Sequence, residues 1–531
     1  MAKKRVAAKG KTEMNVVDSG YSEGGASTTS NILRAWNPLK LSSKSDIDWN
    51  LKTLRNRAAD EATNTPVGAA AVYSSVTHAV GTGLQLFPRP KSHILGLTPE
   101  ETRDWTRLVR AEFQLWAESK DCDIYRRNNF LDLQHIAYLS YLTDGDVFAL
   151  FRRKEPTQTN PYSLRLQLLE ANRVSSPQDY SMMPLSSVEV QAPTPGHRIV
   201  SGVEVDADGA VDGYWVSNKV PQDIADLSGI TKWVKVDAWG AETGLPNILQ
   251  ICHDIRADQY RGVPYLAPVI ETLKQTSRYT TAELASAIVK SFFSLFFTET
   301  PAGSTLNDVL GSSFDGMPRG GPVVDVSDYA LGPGTLNALP AGVDVKSVDA
   351  SNAQSTFGIF MESLLKQVGA ALGQPYEVLM KNFTSSYSAS RAALLQAWDE
   401  YKQRRIWFAR DLCQPVYEVW LTEAVALGRI KAPGFFSDPM IRKAWSCAEW
   451  FGPTMSILDP IKDVNGSRLR VQYGLSTMER EAAEMTGSDY EENLMQIAYE
   501  TKLSESLGVK QADAPKSERS MSTQEGTPIS E

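Results

Sequence analysis

The sequence has no paired cysteines, no long apolar run, no excess of positive charge and no clustered histidines, and each absence excludes a class of function. Its four cysteines, Cys122, Cys252, Cys413 and Cys447, lie far apart without CxxC spacing, so neither a zinc motif nor a dithiol redox motif is available. Scattered single thiols in a chain of 531 residues fit a reducing compartment. The basic start (Lys3, Lys4, Arg5, Lys9, Lys11) is followed by no apolar segment of the signal-peptide kind. The most apolar stretch, residues 282–297, is interrupted by Glu283 and Lys290. It falls short of the ~20 residues that a membrane span requires, so no membrane is expected. The net charge of −9 shows none of the bulk basicity of a protein that grips nucleic acid tightly.

Recognisable chemistry is equally scarce. His78, His93, His135, His197 and His253 form no HExxH or other close pair, and no G-x-S-x-G elbow is present. Gly10-Lys11-Thr12 has the end of a P-loop, but Arg5 stands where the first glycine belongs. Asp206, Asp208 and Asp212 lack the glycine and terminal glutamate of a calcium loop and read as a hairpin turn. No catalytic residue, metal ligand or cofactor is expected.

What is present is an ordinary globular balance, 42% apolar and 22% charged, with twelve Trp, nineteen Tyr and seventeen Phe for cores or interfaces. The length calls for several packed units. Residues 1–30 and 511–531, poor in large apolar residues, read as a disordered arm and tail. Two helices are expected within 48–80. The first carries Trp49, Leu51, Leu54 and Ala58; the second starts at Pro66, carries Val72, Tyr73, Val76 and Val80, and stops at Gly81 and Gly83. Thr98-Pro-Glu-Glu101 is a capping box before a helix with Trp105, Leu108, Val109 and Trp116 on one face.

The middle is β. Residues 162–170 alternate, 203–216 form a hairpin around Asp208-Gly209, and strands follow at 233–236 and 248–253. Helix dominates after 262. Residues 265–293 form one long helix. Phe357, Phe360, Met361, Leu364, Leu365, Val368 and Leu372 mark another with clean three–four spacing. A polar loop, 381–387, precedes a long helix from about Ser388 that Pro415 kinks and Gly428 ends. Ser476-Thr-Met-Glu479 and Ser488-Asp-Tyr-Glu491 read as capping boxes of two acidic helices.

Several segments resemble the lambda-type portal proteins of tailed bacteriophages. Asp48–Ala59 with Val80-Gly-Thr-Gly-Leu84 is similar to the opening of that family. Arg261-Gly-Val-Pro-Tyr-Leu-Ala-Pro-Val-Ile-Glu-Thr-Leu-Lys274 is similar to its entry into a first stem helix. Gly369-Ala-Ala-Leu-Gly-Gln-Pro-Tyr-Glu-Val-Leu379, Asn382-Phe and Ser385–Ala393 carry the most specific likeness. Ala444-Trp445, Trp450, Gly474–Glu479 and Gly487-Ser-Asp-Tyr also fit. The resemblance runs in order through residues 31–510.

It implies an α+β, predominantly helical portal fold. The wing would be 31–261, stem helix 1 would be 262–297, the clip 298–346 and stem helix 2 347–375. The tunnel-loop region would be 376–390, the long helix and remaining wing 391–475, and the crown 476–510. The family also implies a ring of about twelve subunits at one capsid vertex. Double-stranded DNA would pass through it without sequence specificity. A terminase motor, the major capsid and scaffold proteins and a head-tail connector or adaptor would be its partners. Mild acidity suits such a conduit, since tight phosphate contacts would stall movement. The loop residues Lys381, Asn382, Thr384, Ser385 and Ser386 are the expected DNA-facing group. Phe357, Phe360, Met361, Leu364, Leu365 and Val368 are the expected packing face of the second stem helix. The alternatives are another ring-forming phage connector or adaptor, or a hydrolase whose site is not evident.

Overall fold

Thr65 ends one helix and begins the next. α1 (Ser43–Asn64) starts at Ser42, whose side chain accepts from the Ser45 amide, and stops where Thr65 turns extended. The Thr65 hydroxyl accepts from the Gly68 amide, and Pro66 occupies the first turn of α2 (Pro66–Ala79). The helices meet so closely there that a Cβ on Gly68 would lie 2.3 Å from the Glu61 carbonyl oxygen. Ile47, Leu51, Ala58, Val72 and Val76 are buried. Trp49 and Tyr73, expected on those faces, are exposed. Trp49 stands two residues from both Ile47 and Leu51, about half a turn round the helix.

The computed structural model describes residues 30–177, 189–221, 223, 225–226, 229–291, 295–298, 336–339, 354–383, 386–455 and 460–507. Nearly all of the expected arm, most of the expected clip, the expected tail, and Thr384 and Ser385 lie outside them. After β1 (Gln85–Pro88) and α3 (Ser92–Leu95), the Thr98 capping box forms as expected and opens α4 (Pro99–Glu118). That helix buries Trp105, Val109, Phe113 and Trp116 and turns Leu108 outward. α5 (Phe130–Asp144) ends at Gly145.

The strands that follow are β2 (Asp146–Arg153), β3 (Leu164–Glu170), β4 (Glu189–Gln191), β5 (Arg198–Val200), β6 (Val203–Val205), β7 (Val211–Ser217), β8 (Trp233–Asp237) and β9 (Ile248–Cys252). They make two antiparallel sheets, β3-β2-β9 and β4-β5-β6-β7-β8. The expected hairpin is β6–β7. In its turn the Asp206 carboxylate accepts from the Asp208 and Ala210 amides, and Gly209 takes φ 90°. β2 is apolar on both faces because both are covered: Val147 and Ala149 join the main helical core, while Phe148 and Leu150 join a second core with Val203, Val205 and Tyr214.

A buried ion cluster fastens these layers together. The Asp146 carboxylate accepts from Arg55 Nη2 (2.7 Å), Arg261 Nε (2.7 Å) and Nη2 (3.1 Å), the Gly262 amide (3.1 Å) and Gln250 Nε2 (3.3 Å). Arg261 also donates to the carbonyls of Ala171, Val174 and Ser201, which tethers the second sheet. Burial alone would push the Asp146 carboxyl up; Arg261 and Arg55 overcome it and hold the group below the usual carboxylate range. Burial brings the Arg55 guanidinium down to about 10. Next to this cluster Gly262 touches the end of α5: a Cβ there would sit 1.8 Å from the Gly145 carbonyl oxygen.

From that point the chain runs into α6 (Ile270–Ser291), then β10 (Leu295–Thr298), which pairs in parallel with β11 (Leu336–Leu339). α7 (Gln354–Leu372), α8 (Tyr376–Leu379) and α9 (Tyr387–Phe408) follow. The kink expected at Pro415 is a π-helical turn, Ala409–Cys413, just before α10 (Gln414–Ala426). Proline has no N–H to donate one turn back and its ring crowds that carbonyl, so the preceding turn widens. α11 (Pro439–Trp445) leads to β12 (Ala448–Phe451), which pairs antiparallel with β1. α12 (Pro460–Gln472), α13 (Met478–Thr486) and α14 (Tyr490–Leu507) complete the described chain.

The last two caps fall one residue later than expected. Thr477 accepts from the Arg480 amide, and Asp489 accepts from the Glu491 and Glu492 amides. Ser476 and Ser488 sit just outside, since the adjacent side chain has the same capping chemistry. Among the described residues no helix is long and apolar enough to cross a membrane.

Candidate functional site

The loop expected to carry function hangs from a tightly built turn. α7 ends at Gly373, φ 69°, and the Gln374 amide donates back to the Gly369 carbonyl at 2.8 Å. Only glycine fits at 369, because a Cβ would stand 2.4 Å from the Gln374 carbonyl oxygen. The buried Gln374 side chain donates to the Ala71 carbonyl of α2 (2.8 Å) and to the Tyr265 hydroxyl (3.0 Å). Tyr265 in turn donates to the Leu372 carbonyl. The turn is thus locked to α2 and to the segment that enters α6.

Beyond α8, Lys381 adopts φ 53° and the Asn382 amide donates to the Glu377 carbonyl at 3.0 Å. A left-handed conformation at a residue with a side chain is uncommon and marks a sharp reversal. Lys381, Asn382 and Ser386 are exposed. Ser386 also caps α9, its hydroxyl accepting from the Ala389 amide. Phe383, absent from the expected set, is exposed beside them.

Behind the loop sits an aromatic cluster that the sequence reading missed. The His78 ring of α2 stacks on Tyr401 of α9 (5.0 Å between centroids, 27°) and meets Trp398 edge-on (6.4 Å). Burial, then the Lys381 ammonium, lowers the His78 pKa below the ordinary imidazole value. Arg405 ties the same elements together, donating to the carbonyls of His78, Ala79 and Pro453. The three–four spacing of Trp398, Tyr401 and Arg405 on one helix was the available signal.

The expected packing helix divides in two. Leu365 and Val368 are buried within the chain, together with Leu372. Phe357, Met361 and Leu364 are half-buried and Phe360 is exposed. Phe357 and Phe360 each place their rings 5.3 Å from that of Tyr279 on α6. Ile359, Leu284 and Ile288 leave further apolar surface open on this helix pair.

One group of described residues has metal-ligating chemistry: His197, Glu204 and Asp212 bring ligand atoms within 4.8 Å of one another. An internal cation already serves it. Lys235 Nζ stands 2.9 Å from Glu204 and 2.6 Å from Asp212. These residues brace the second sheet, and Asp206 and Asp208 belong to the neighbouring turn.

A model of the family described as phage portal protein, lambda family, matches residues 29–405. Portal protein B of Escherichia phage lambda is 26% identical over 511 residues, covering 93% of this chain and 91% of that protein. The portal protein of Escherichia phage N15 is 26% identical over 512 residues with the same coverage. Among solved structures, the chain is similar to one from the virion of a native gene transfer agent particle (TM-score 0.37, 12% identity, 82% of this chain and 92% of that one). Another is from the neck of the native particle, computed with C12 symmetry (TM-score 0.36, 13% identity, 81% and 92%).

Proposed function

Because the chain belongs to the lambda family of phage portal proteins, a structural component of the virion, we propose that about twelve copies form a ring at one capsid vertex through which double-stranded DNA is packaged and later released. In this reading residues 31–261 and 391–475 are the wing, 262–297 and 347–375, which contain α6 and α7, the two stem helices, 298–346 the clip, 376–390 the tunnel-loop region, and 476–510 the crown. The protein performs no chemical step of its own. A separate terminase motor docks on the clip and hydrolyses ATP; a head-tail connector takes its place afterwards, while the major capsid and scaffold proteins assemble around the wing.

The observation that carries the reading is the family match through residues 29–405, which spans both helices of the α6–α7 pair and the loop after α8. The locked Gln374 turn supports a fixed loop position, and the small polar residues with Lys381 suit brief, sequence-independent phosphate contact. The open apolar flank formed by Leu284, Ile288, Ile359 and Phe360 suits packing against a neighbouring subunit. Electron microscopy of the purified protein tests the proposal. End-on rings of about twelve subunits, with a channel admitting a ~20 Å duplex, are expected. A monodisperse monomer or dimer at every salt concentration refutes it.

A further inference from the structure

α14 contributes no residue to a hydrophobic core of its own chain. None of its residues is buried, although Leu494, Met495, Ile497, Tyr499, Leu503 and Leu507 are large, apolar and exposed. Met495, Tyr499, Leu503 and Leu507 recur every four residues and line one face. The helix carries four glutamates against one lysine; Glu500 flanks that face, while Glu492 lies at its N-terminal end beside Arg110. So much open apolar surface on one helix calls for a partner.

A cleft with apolar walls and more cationic than acidic residues lies on the same molecule. It sits between α9, residues 451–455 and the α12–α13 pair and has a volume of about 400 Å3. Leu395, Trp398, Phe451, Pro453 and Met485 supply its apolar walls. Five cationic residues line it, Arg391, Lys402, Arg405, Lys462 and Arg470, against three carboxylates, Asp463, Glu481 and Glu484; Arg391 pairs with Asp463 and Arg470 with Glu481, and the lining keeps a net positive charge. Within this set Arg405 hydrogen-bonds to backbone carbonyls, and burial lowers its pKa to about 10. Lys402 and Leu395 are exposed. No residue of α14 lines the cleft of its own chain.

We propose that α14 of one copy docks its Met495–Tyr499–Leu503 face into this cleft on a second copy, with its glutamates against the cationic residues. The inference rests on the ring reading in that it requires a neighbouring copy. The contact joins different patches on the two partners, so it repeats from subunit to subunit and closes with the ring.

The test is the full-length chain carrying Leu395→Cys and Tyr499→Cys, both at exposed positions, with each single variant as control. Assembled protein is briefly oxidised and separated on a denaturing gel without reductant, while assembly size is read in parallel by light scattering. A ladder of covalently joined chains that requires both cysteines is the expected result. Rings without a ladder, or a crosslink confined to single chains, overturn the docking and leave the portal reading standing; protein that never assembles overturns both. Separately, Lys402→Glu should weaken assembly by about threefold per contact, the scale of an exposed ion pair. Glu500→Lys in the same chain should restore it, and failure to restore overturns the proposed orientation.

Discussion

Replacing Asp146 by Asn changes one oxygen to an amide and leaves the volume almost untouched, yet it should be among the most damaging single substitutions in the two-sheet region. The carboxylate is fully buried and accepts from two guanidinium groups, a backbone amide and Gln250. Asparagine keeps one acceptor and turns an NH2 donor toward arginines that also only donate. Arg55 and Arg261 then lose the carboxylate that hydrogen-bonds to both, and only the weaker Coulombic pull of Asp48, with Asp144 for Arg55, remains. Breaking a buried pair in this way costs about 3–5 kcal/mol. No cavity forms, so the loss is electrostatic. With a slope of roughly 3 kcal/mol per molar urea, the unfolding midpoint should fall by about 1–1.7 M. Tryptophan fluorescence at fixed protein concentration is a suitable assay, since Trp215 and Trp233 lie on the tethered sheet. Asp208→Asn, in the exposed turn of the same sheet, should change stability by no more than about 0.5 kcal/mol. A midpoint for Asp146→Asn within about 0.3 M of the parent would refute the view that this cluster holds the layers together.

Other consequences follow from the same packing. Burial raises Asp48 and Asp144 from 3.8 to about 6. The native chain therefore binds more protons than the unfolded chain between those values, and these groups make stability fall as pH rises through that window. Asp48→Asn should consequently melt higher than the parent above pH 6 and lose that advantage toward pH 4; an equal difference at pH 5 and pH 8 would refute this. Gly369→Ala should cost about 1–3 kcal/mol, because the obstructing atom is backbone. Gly358→Ala in the same helix, where a Cβ meets nothing within 4 Å, should gain about 0.8–1.0 kcal/mol; paired thermal melts check both. Tyr279→Ala removes two ring contacts worth about 0.5–1.5 kcal/mol each, and should raise amide hydrogen exchange in residues 357–364 while leaving 365–372 protected.

Much of the architecture was legible because the signals are local. Thr98 and Glu101 satisfy each other three residues apart, and the Asp206 turn closes within five residues. The long α9–α10 helix and its irregular turn follow from side-chain period and a single proline. Errors arose where two neighbouring residues could do the same job, as with Ser476 and Thr477, or where a large aromatic was credited to a face it does not share, as with Trp49. Within the candidate loop, the exposed polar character of Lys381 and Asn382 was readable, whereas the His78 cluster behind them was not.

The sequence by itself determined the helix pair of 48–80, the β middle, the long helices after 262, the reversals at Gly81, Gly209 and Gly428, and the family. Each depends on chemistry within a few neighbouring residues, or on motifs recurring in order. The tertiary structure alone decided which charges are buried and which apolar faces stay open. Asp146 meets partners 91 and 115 residues away, and a buried charge is stable only where such partners converge. The helix from 357 to 372 reads as one continuous apolar stripe; only the elements folded against its second half determine that Leu365 and Val368 are core while Phe360 remains exposed.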